Sequence, residues 1–233
     1  MTSQVLENPM RCLKNANAVE PSSGAMSNIV AFGDSITRGY GVPDGEGWVE
    51  LLAEAMNTGD KKGRVSVFNA GGNSNTSTEA LHRIGSDILV HLPGLVLMEF
   101  GGNDAVHSAR AVSVDQFEEN LLSMIETIRQ HGGRTILMTF PPVINSWHAW
   151  NPQPYYERWG GVDQCVERYR QCTRKMAASK KIPLFELDHF LRRQIAEQGQ
   201  SALIQPDGVH LTTKAHRLIS VAVRYFLKEI DGL

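Results

Sequence analysis

The sequence has little of what usually announces a function. Only three cysteines occur in 233 residues, too few for a disulfide framework. Basic residues (23) and acidic residues (25) nearly balance, leaving a net charge of −2. A chain so close to neutral carries no electrostatic footprint for nucleic acid or an anionic membrane. No apolar run approaches the roughly 18 residues that a membrane span requires. The first 26 residues, MTSQVLENPMRCLKNANAVEPSSGAM, lack the apolar stretch of a secretory signal. They read as a polar extension over 1–26, with Met26 a possible second start, ahead of a single domain over 27–233. A reducing compartment suits such cysteine usage, and a cytoplasmic location is expected.

Motifs for phosphate and metal are missing too. There is no G-x-x-x-x-G-K-[ST], and the first strand–loop junction, GDSITRG, lacks the G-x-G-x-x-G spacing of a dinucleotide site. The eight histidines include no H-E-x-x-H pair and no Cys/His cluster. Asp207 and His210 offer at most two ligands where a metal needs three or more. Neither a metal nor a cofactor is expected.

What the sequence does have is alternation. Four apolar runs read as strands buried on both faces: NIVAF (28–32), VSVFNA (65–70), LVLMEF (95–100) and TILMTF (135–140). IPLFEL (182–187) is a shorter fifth. Helical periods lie between them. Trp48, Leu51, Leu52, Ala55 and Met56 form one stripe. Phe117, Leu121, Met124, Ile125 and Ile128 form another, opened by Ser113 and closed by Gly132 and Gly133. Cys165 and Cys172 fall in phase with Val162, Tyr169 and Met176, which makes them buried thiols on one helix face. The last helix, about 211–230, shows Leu218, Val221, Ala222 and Tyr225. Strand and helix alternating throughout imply a doubly wound α/β domain, a parallel sheet with helices on both faces.

In such sheets, ligands sit beyond the carboxyl ends of the strands. Those ends here are Gly33-Asp34-Ser35, NAGGNSNTS (69–77), GGND (101–104) and PPVINSWHAW (141–150). Ser35 is thus either a capping residue or a nucleophile on an exposed corner, with Gly33 letting the chain turn. The loop QPDGVHLT (205–212), just before the last helix, reaches the same rim. Asp207 and His210, three apart, place a carboxylate and an imidazole on one side of a tight turn. The carboxylate can hold one ring nitrogen's proton, leaving the other nitrogen to accept from a serine. Asn103 and backbone N–H groups of the 69–75 loop, together with the N–H of Ser35, are candidate donors to an oxyanion.

Taken in order, Gly33-Asp34-Ser35, Gly101-Gly102-Asn103-Asp104 and Asp207-x-x-His210 resemble the blocks of the SGNH/GDSL hydrolase superfamily. The resemblance runs from residue 28 to the C-terminus. It implies a three-layer α/β/α sandwich with a flavodoxin-like, five-stranded parallel sheet, and a serine esterase or acylhydrolase activity. Ser35 is then the nucleophile, His210 the base and Asp207 the acid that orients it. Ser35, Ser74 and Asn103 form the oxyanion hole, and Asp34, Gly33 and Gly102 play supporting parts. One position departs from the family: the second block commonly reads N-A-G-x-x-G-x-T, whereas here Ser74 stands in place of the later glycine. The donor role passes to the Ser74 backbone N–H, with Gly71 and Gly72 as neighbours that could shift to serve instead.

The stretch 141–161 holds three of the four tryptophans. Trp147, Trp150, Tyr155 and Tyr156 are candidates for a substrate pocket there. The expected substrate is a small-molecule ester, a short-chain acyl ester or an acetylated carbohydrate. Thioesters and lysophospholipids remain open, and so does a non-catalytic binding or adaptor role.

Overall fold

The apolar runs pair as parallel strands because residues apolar at consecutive positions need cover on both sides of a sheet. The computed structural model describes residues 28–58 and 65–231. The extension read over 1–26 lies outside the described residues. Strands β1 (Asn28–Gly33), β2 (Ser66–Gly71), β3 (Leu95–Glu99), β4 (Arg134–Met138) and β5 (Leu184–Phe185) form one sheet in the order β2-β1-β3-β4-β5. Every pairing in it is parallel.

Nine α-helices are described. They are α1 (Ser35–Arg38), α2 (Trp48–Met56), α3 (Ser77–Asp87), α4 (Val114–Gln130), α5 (Pro154–Glu157), α6 (Val162–Lys180), α7 (Leu187–Gln198), α8 (Gln200–Leu203) and α9 (Thr213–Asp231). Helix α2 packs on α9, while α3, α4 and α6 pack in succession, so helices flank the sheet on both faces. The strand order reverses at β1, which has β2 on one side and β3 on the other. A crevice therefore opens beyond the carboxyl ends of β1 and β3, where the chain leaves the sheet in opposite directions.

The helix boundaries follow local chemistry. The Ser113 side chain accepts from the Gln116 N–H and starts α4, and Phe117, Leu121, Met124, Ile125 and Ile128 are all buried as its period requires. Thr76 and Glu79 form a reciprocal capping box at the start of α3. Cys165 and Cys172 are free, buried thiols on the inner face of α6 with Val162, Tyr169 and Met176.

Three expectations need correction. Strand β2 is not buried on both faces: it is the sheet edge, with Ser66 exposed and Val67 to Asn69 half-buried. Strand β5 has only two residues, since Pro183 lacks an N–H and Leu187 already begins α7. The apolar stripe of α9 is also rotated. Ala215, Ile219, Val223, Phe226 and Leu227 face inward, whereas Val221 and Tyr225 are 47% and 55% exposed. This helix is apolar over more than one face, and the series that meets α2 takes the core. Ile219→Ala should therefore cost about 2–4 kcal/mol in urea unfolding, while Tyr225→Ser should stay within about 0.5 kcal/mol. Equal losses in the two variants would reject this orientation.

Candidate active site

Strand β1 stops at Gly33 for want of space. A Cβ there would lie 2.0 Å from Thr37 Oγ1 and 2.8 Å from the Glu99 carbonyl oxygen. Close approach requires the glycine, and not the turn itself, because its φ lies outside the left-handed region. Asp34 follows as the cap of α1, its Oδ1 accepting from the Ile36 N–H at 2.9 Å. That single helical turn ends at Gly39, whose φ of 79° is the left-handed closure. Ser35 is its first residue and is held at the rim.

The structure brings Ser35, His210 and Asp207 together. Ser35 Oγ lies 3.0 Å from His210 Nε2, and His210 Nδ1 lies 2.5 Å from Asp207 Oδ2. The other carboxylate oxygen of Asp207 accepts from the N–H groups of Val209 and His210, both at 2.9 Å. Partial burial pushes the Asp207 carboxyl up. The hydrogen bonds from the His210 ring and those two N–H groups outweigh it and hold the group below the usual carboxylate range. An ionised Asp207 fixes a proton on Nδ1 and leaves Nε2 as the acceptor that faces the serine. The loop itself is stapled. Gln205 N donates to the His210 carbonyl at 2.7 Å, and Ile204 bridges Leu211.

Sequence reasoning missed Tyr40, whose ring centroid is 4.5 Å from that of His210. Gln205 Nε2 donates to the Tyr40 carbonyl and ties this turn to the histidine loop. An aromatic residue five positions after the serine was the available signal.

Two backbone N–H groups stand unspent beside the serine. Among the described residues, neither Ser35 N–H nor Ser74 N–H donates to a protein acceptor, and both residues line one cavity. Ser74 has a φ of 59°. That left-handed conformation costs a residue with a Cβ about 1 kcal/mol relative to glycine. Gly71 and Gly72 do not serve as alternatives. Their N–H groups already donate to Asn69 Oδ1 and the Gly33 carbonyl, each at 2.9 Å.

Asn103 Nδ2 donates to Asp34 Oδ2 at 3.0 Å and to the Asn75 carbonyl at 3.1 Å. Both amide hydrogens thus have acceptors within the protein. Gly102 admits the ring of Phe140, which a Cβ would meet at 2.2 Å.

Three buried carboxyls brace this rim, at Asp34, Glu99 and Asp104, each no more than 1% exposed. Thr37 Oγ1 donates to Glu99 at 3.0 Å, and the Ser77 N–H and hydroxyl donate to Asp104. Burial raises all three. Glu99 rises well above the usual range, through burial first and then the charge of Asp34. Burial and the neighbouring Asp34 favour the neutral form of Glu99, while Asp34 Oδ2 accepts from Asn103. Glu99 escaped notice because it sits inside an otherwise apolar strand.

The cavity at Ser35 has a volume of about 340 Å³. Trp147, His148, Trp150 and Tyr156 form one side of it, and Ala105, Val106 and Phe140 contribute apolar wall. Tyr155 is not in the lining: its ring stacks on His107 at 3.9 Å. The aromatic segment is fastened at three points. Ile144 N donates to the Gly208 carbonyl at 2.8 Å, His107 N to Tyr156 Oη at 2.8 Å, and Val143 N to Asp163 Oδ1 at 2.9 Å. Buried Arg170 pairs with Asp163 at 2.8 Å and donates to the carbonyls of Phe140 and Pro141. These bonds tie the segment to the loop beyond β3, to the histidine loop and to α6. Among the described residues, no group of three or more His, Cys, Asp or Glu is placed to hold a metal ion, and no helix is long and apolar enough to cross a membrane.

Comparison with known proteins gives the family and the fold. The model of the GDSL-like lipase/acylhydrolase family matches residues 31–218. The uncharacterized lipoprotein YqeF of Bacillus subtilis is 32% identical over 214 residues, covering 82% of this chain and 86% of its own. Esterase TesA of Pseudomonas aeruginosa is 29% identical over 80% of each chain. Among solved structures, a lipase/acylhydrolase from Enterococcus faecalis superposes with a TM-score of 0.68 at 26% identity, covering 88% of this chain and 96% of that one.

The raised carboxyl of Asp104, pushed up to about 6 by burial, has a consequence for stability. The folded state holds this proton more tightly than the unfolded one. The resulting stabilisation is complete below about pH 4 and is lost as the pH climbs through about 6. In denaturant unfolding, the advantage of wild type over Asp104→Asn should shrink by about 3 kcal/mol between pH 4 and pH 8. An advantage that grows with pH would overturn the assignment.

Proposed function

Since the chain belongs to the GDSL-like lipase/acylhydrolase family, we propose that it hydrolyses short-chain acyl or O-acetyl esters through an acyl-enzyme on Ser35. The observation that carries this reading is the unbroken hydrogen-bond chain Ser35–His210–Asp207 at the mouth of the cavity. Ser35 Oγ attacks the ester carbonyl while His210 Nε2 takes its proton. Asp207 keeps the ring oriented and stabilises the imidazolium. The oxyanion settles against the N–H groups of Ser35 and Ser74 and shares the Asn103 amide. His210 then gives its proton to the departing alkoxide, and water repeats the sequence on the acyl-enzyme.

The largely apolar cavity, with its polar groups gathered at Ser35, Asn103, Asp207 and His210, suits an uncharged acyl group. The unspent N–H donors favour catalysis over a silent binding role, since a mere binding surface has no need of them.

Asp207→Asn should retain the fold and lower kcat on p-nitrophenyl acetate by roughly 10⁴, the scale of losing the acid of such a triad. Far-UV circular dichroism checks the fold. A variant within tenfold of wild type would remove Asp207 from the mechanism. A panel of p-nitrophenyl esters and acetylated sugars then separates acyl-chain length from leaving-group preference.

A further inference from the structure

Ser74 is held in a conformation that its side chain disfavours. Its φ is 59°, and the residue lines the cavity at Ser35 in that conformation. The turn leading to α3 places Ser74 where a positive φ is called for, a position that favours glycine. Asn75 N donates to the Gly72 carbonyl at 3.1 Å, and Asn75 Oδ1 accepts from Arg83. The first closes a four-residue turn with Ser74 as its third residue and holds the N–H side of the Ser74–Asn75 peptide.

Arg110 holds the carbonyl side of that peptide. It lies on the segment between β3 and α4, far from Ser74 in sequence, and its Nη2 donates to the Ser74 carbonyl at 2.5 Å. The same guanidinium forks onto Glu79, with Nε on Oε1 at 2.8 Å and Nη2 on Oε2 at 2.5 Å. Glu79 is in turn the capping-box residue of α3 and accepts from the Thr76 N–H at 2.8 Å. Arg110 thus clips the Ser74 carbonyl to a helix start that is already rigid. The pair is half-exposed, at 52% and 37%, so its contribution to global stability is small. Its geometry is nonetheless bidentate and local, which suits it to fix one peptide.

We propose that Arg110 is a positioning residue for the oxyanion hole, clamping the Ser74 carbonyl so that a non-glycine residue keeps its left-handed backbone and presents its N–H to the reacting carbonyl. This rests on the reading of Ser74 N–H as an oxyanion donor. No group of Arg110 need touch substrate. Its work is to supply the restraint that a glycine at position 74 would make unnecessary.

The clamp predicts a rescue that an ordinary structural residue would not show. Arg110→Ala should lower kcat on p-nitrophenyl acetate by roughly tenfold with KM changed less than about twofold, since the lost interaction belongs to the transition state. Ser74→Gly, which keeps the backbone donor, supplies the reference rate for the double variant. The double variant Arg110→Ala/Ser74→Gly should recover to within about threefold of Ser74→Gly, because glycine holds the left-handed backbone without help. Asn103→Ala, measured alongside, should lose about 10²–10³ in kcat as a direct donor to the same oxygen. A double variant as slow as Arg110→Ala, or an Arg110→Ala enzyme within twofold of wild type, overturns the clamp. If Asn103→Ala is slow in that case, the oxyanion hole stands and only Arg110 is misassigned. If Asn103→Ala is also near wild type, the hole itself is misread and the clamp falls with it.

Discussion

One buried carboxylate ties the site together. Asp34 gives one oxygen to the Ile36 N–H, which caps the helical turn carrying Ser35. It gives the other to the Asn103 amide, on the loop beyond β3. The nucleophile's turn and the candidate oxyanion donor are thus referenced to one side chain, at the point where the strand order reverses. Removing that carboxylate would loosen both at once. Rigid placement of this kind matters, because hydrogen-bond donors assist a reaction only when they are aimed before charge develops.

Such an anchor is costly. Asp34 is fully buried, and burial alone favours its neutral form. Glu99 lies close behind it and would add a second buried charge, but its own carboxyl is raised well above the usual range. A neutral Glu99, the form that burial favours, adds no second charge beside Asp34. On the opposite wall the problem is solved with a cation. The buried guanidinium of Arg170, paired with Asp163, collects the carbonyls of Phe140 and Pro141. Through these contacts it sets the segment that walls the cavity. The two devices differ in sign but share a purpose, since each satisfies polar groups that a loop at a sheet end would otherwise leave bare.

Most of the fold was legible because parallel strands buried on two faces leave unbroken apolar runs, and four of them stand out. The edge position of β2 was not legible, since a run such as VSVFNA reads alike in the centre and at the edge. The face of α9 was misjudged because two apolar series overlap on it, and only packing against α2 decides between them. For the site, strand ends and the Asp207-to-His210 spacing sufficed to bring Ser35, Asp207 and His210 to one rim. Contacts across the fold left no such trace. Tyr40 against His210, Glu99 behind Asp34, and Arg110 on Ser74 join residues 170, 65 and 36 positions apart, at no periodicity. Tyr155 was grouped with its neighbour Tyr156, yet adjacent residues on a short helix point to different surroundings, and His107 claims its ring.

Labelling with a fluorophosphonate, followed by mass mapping of the modified peptide, tests the nucleophile most directly. Only a serine activated by a neighbouring base reacts readily. A single modified residue, Ser35, is expected in the wild type, with labelling lost in both Ser35→Ala and His210→Ala. A label on any other residue, or undiminished labelling of Ser35→Ala, would contradict the assignment.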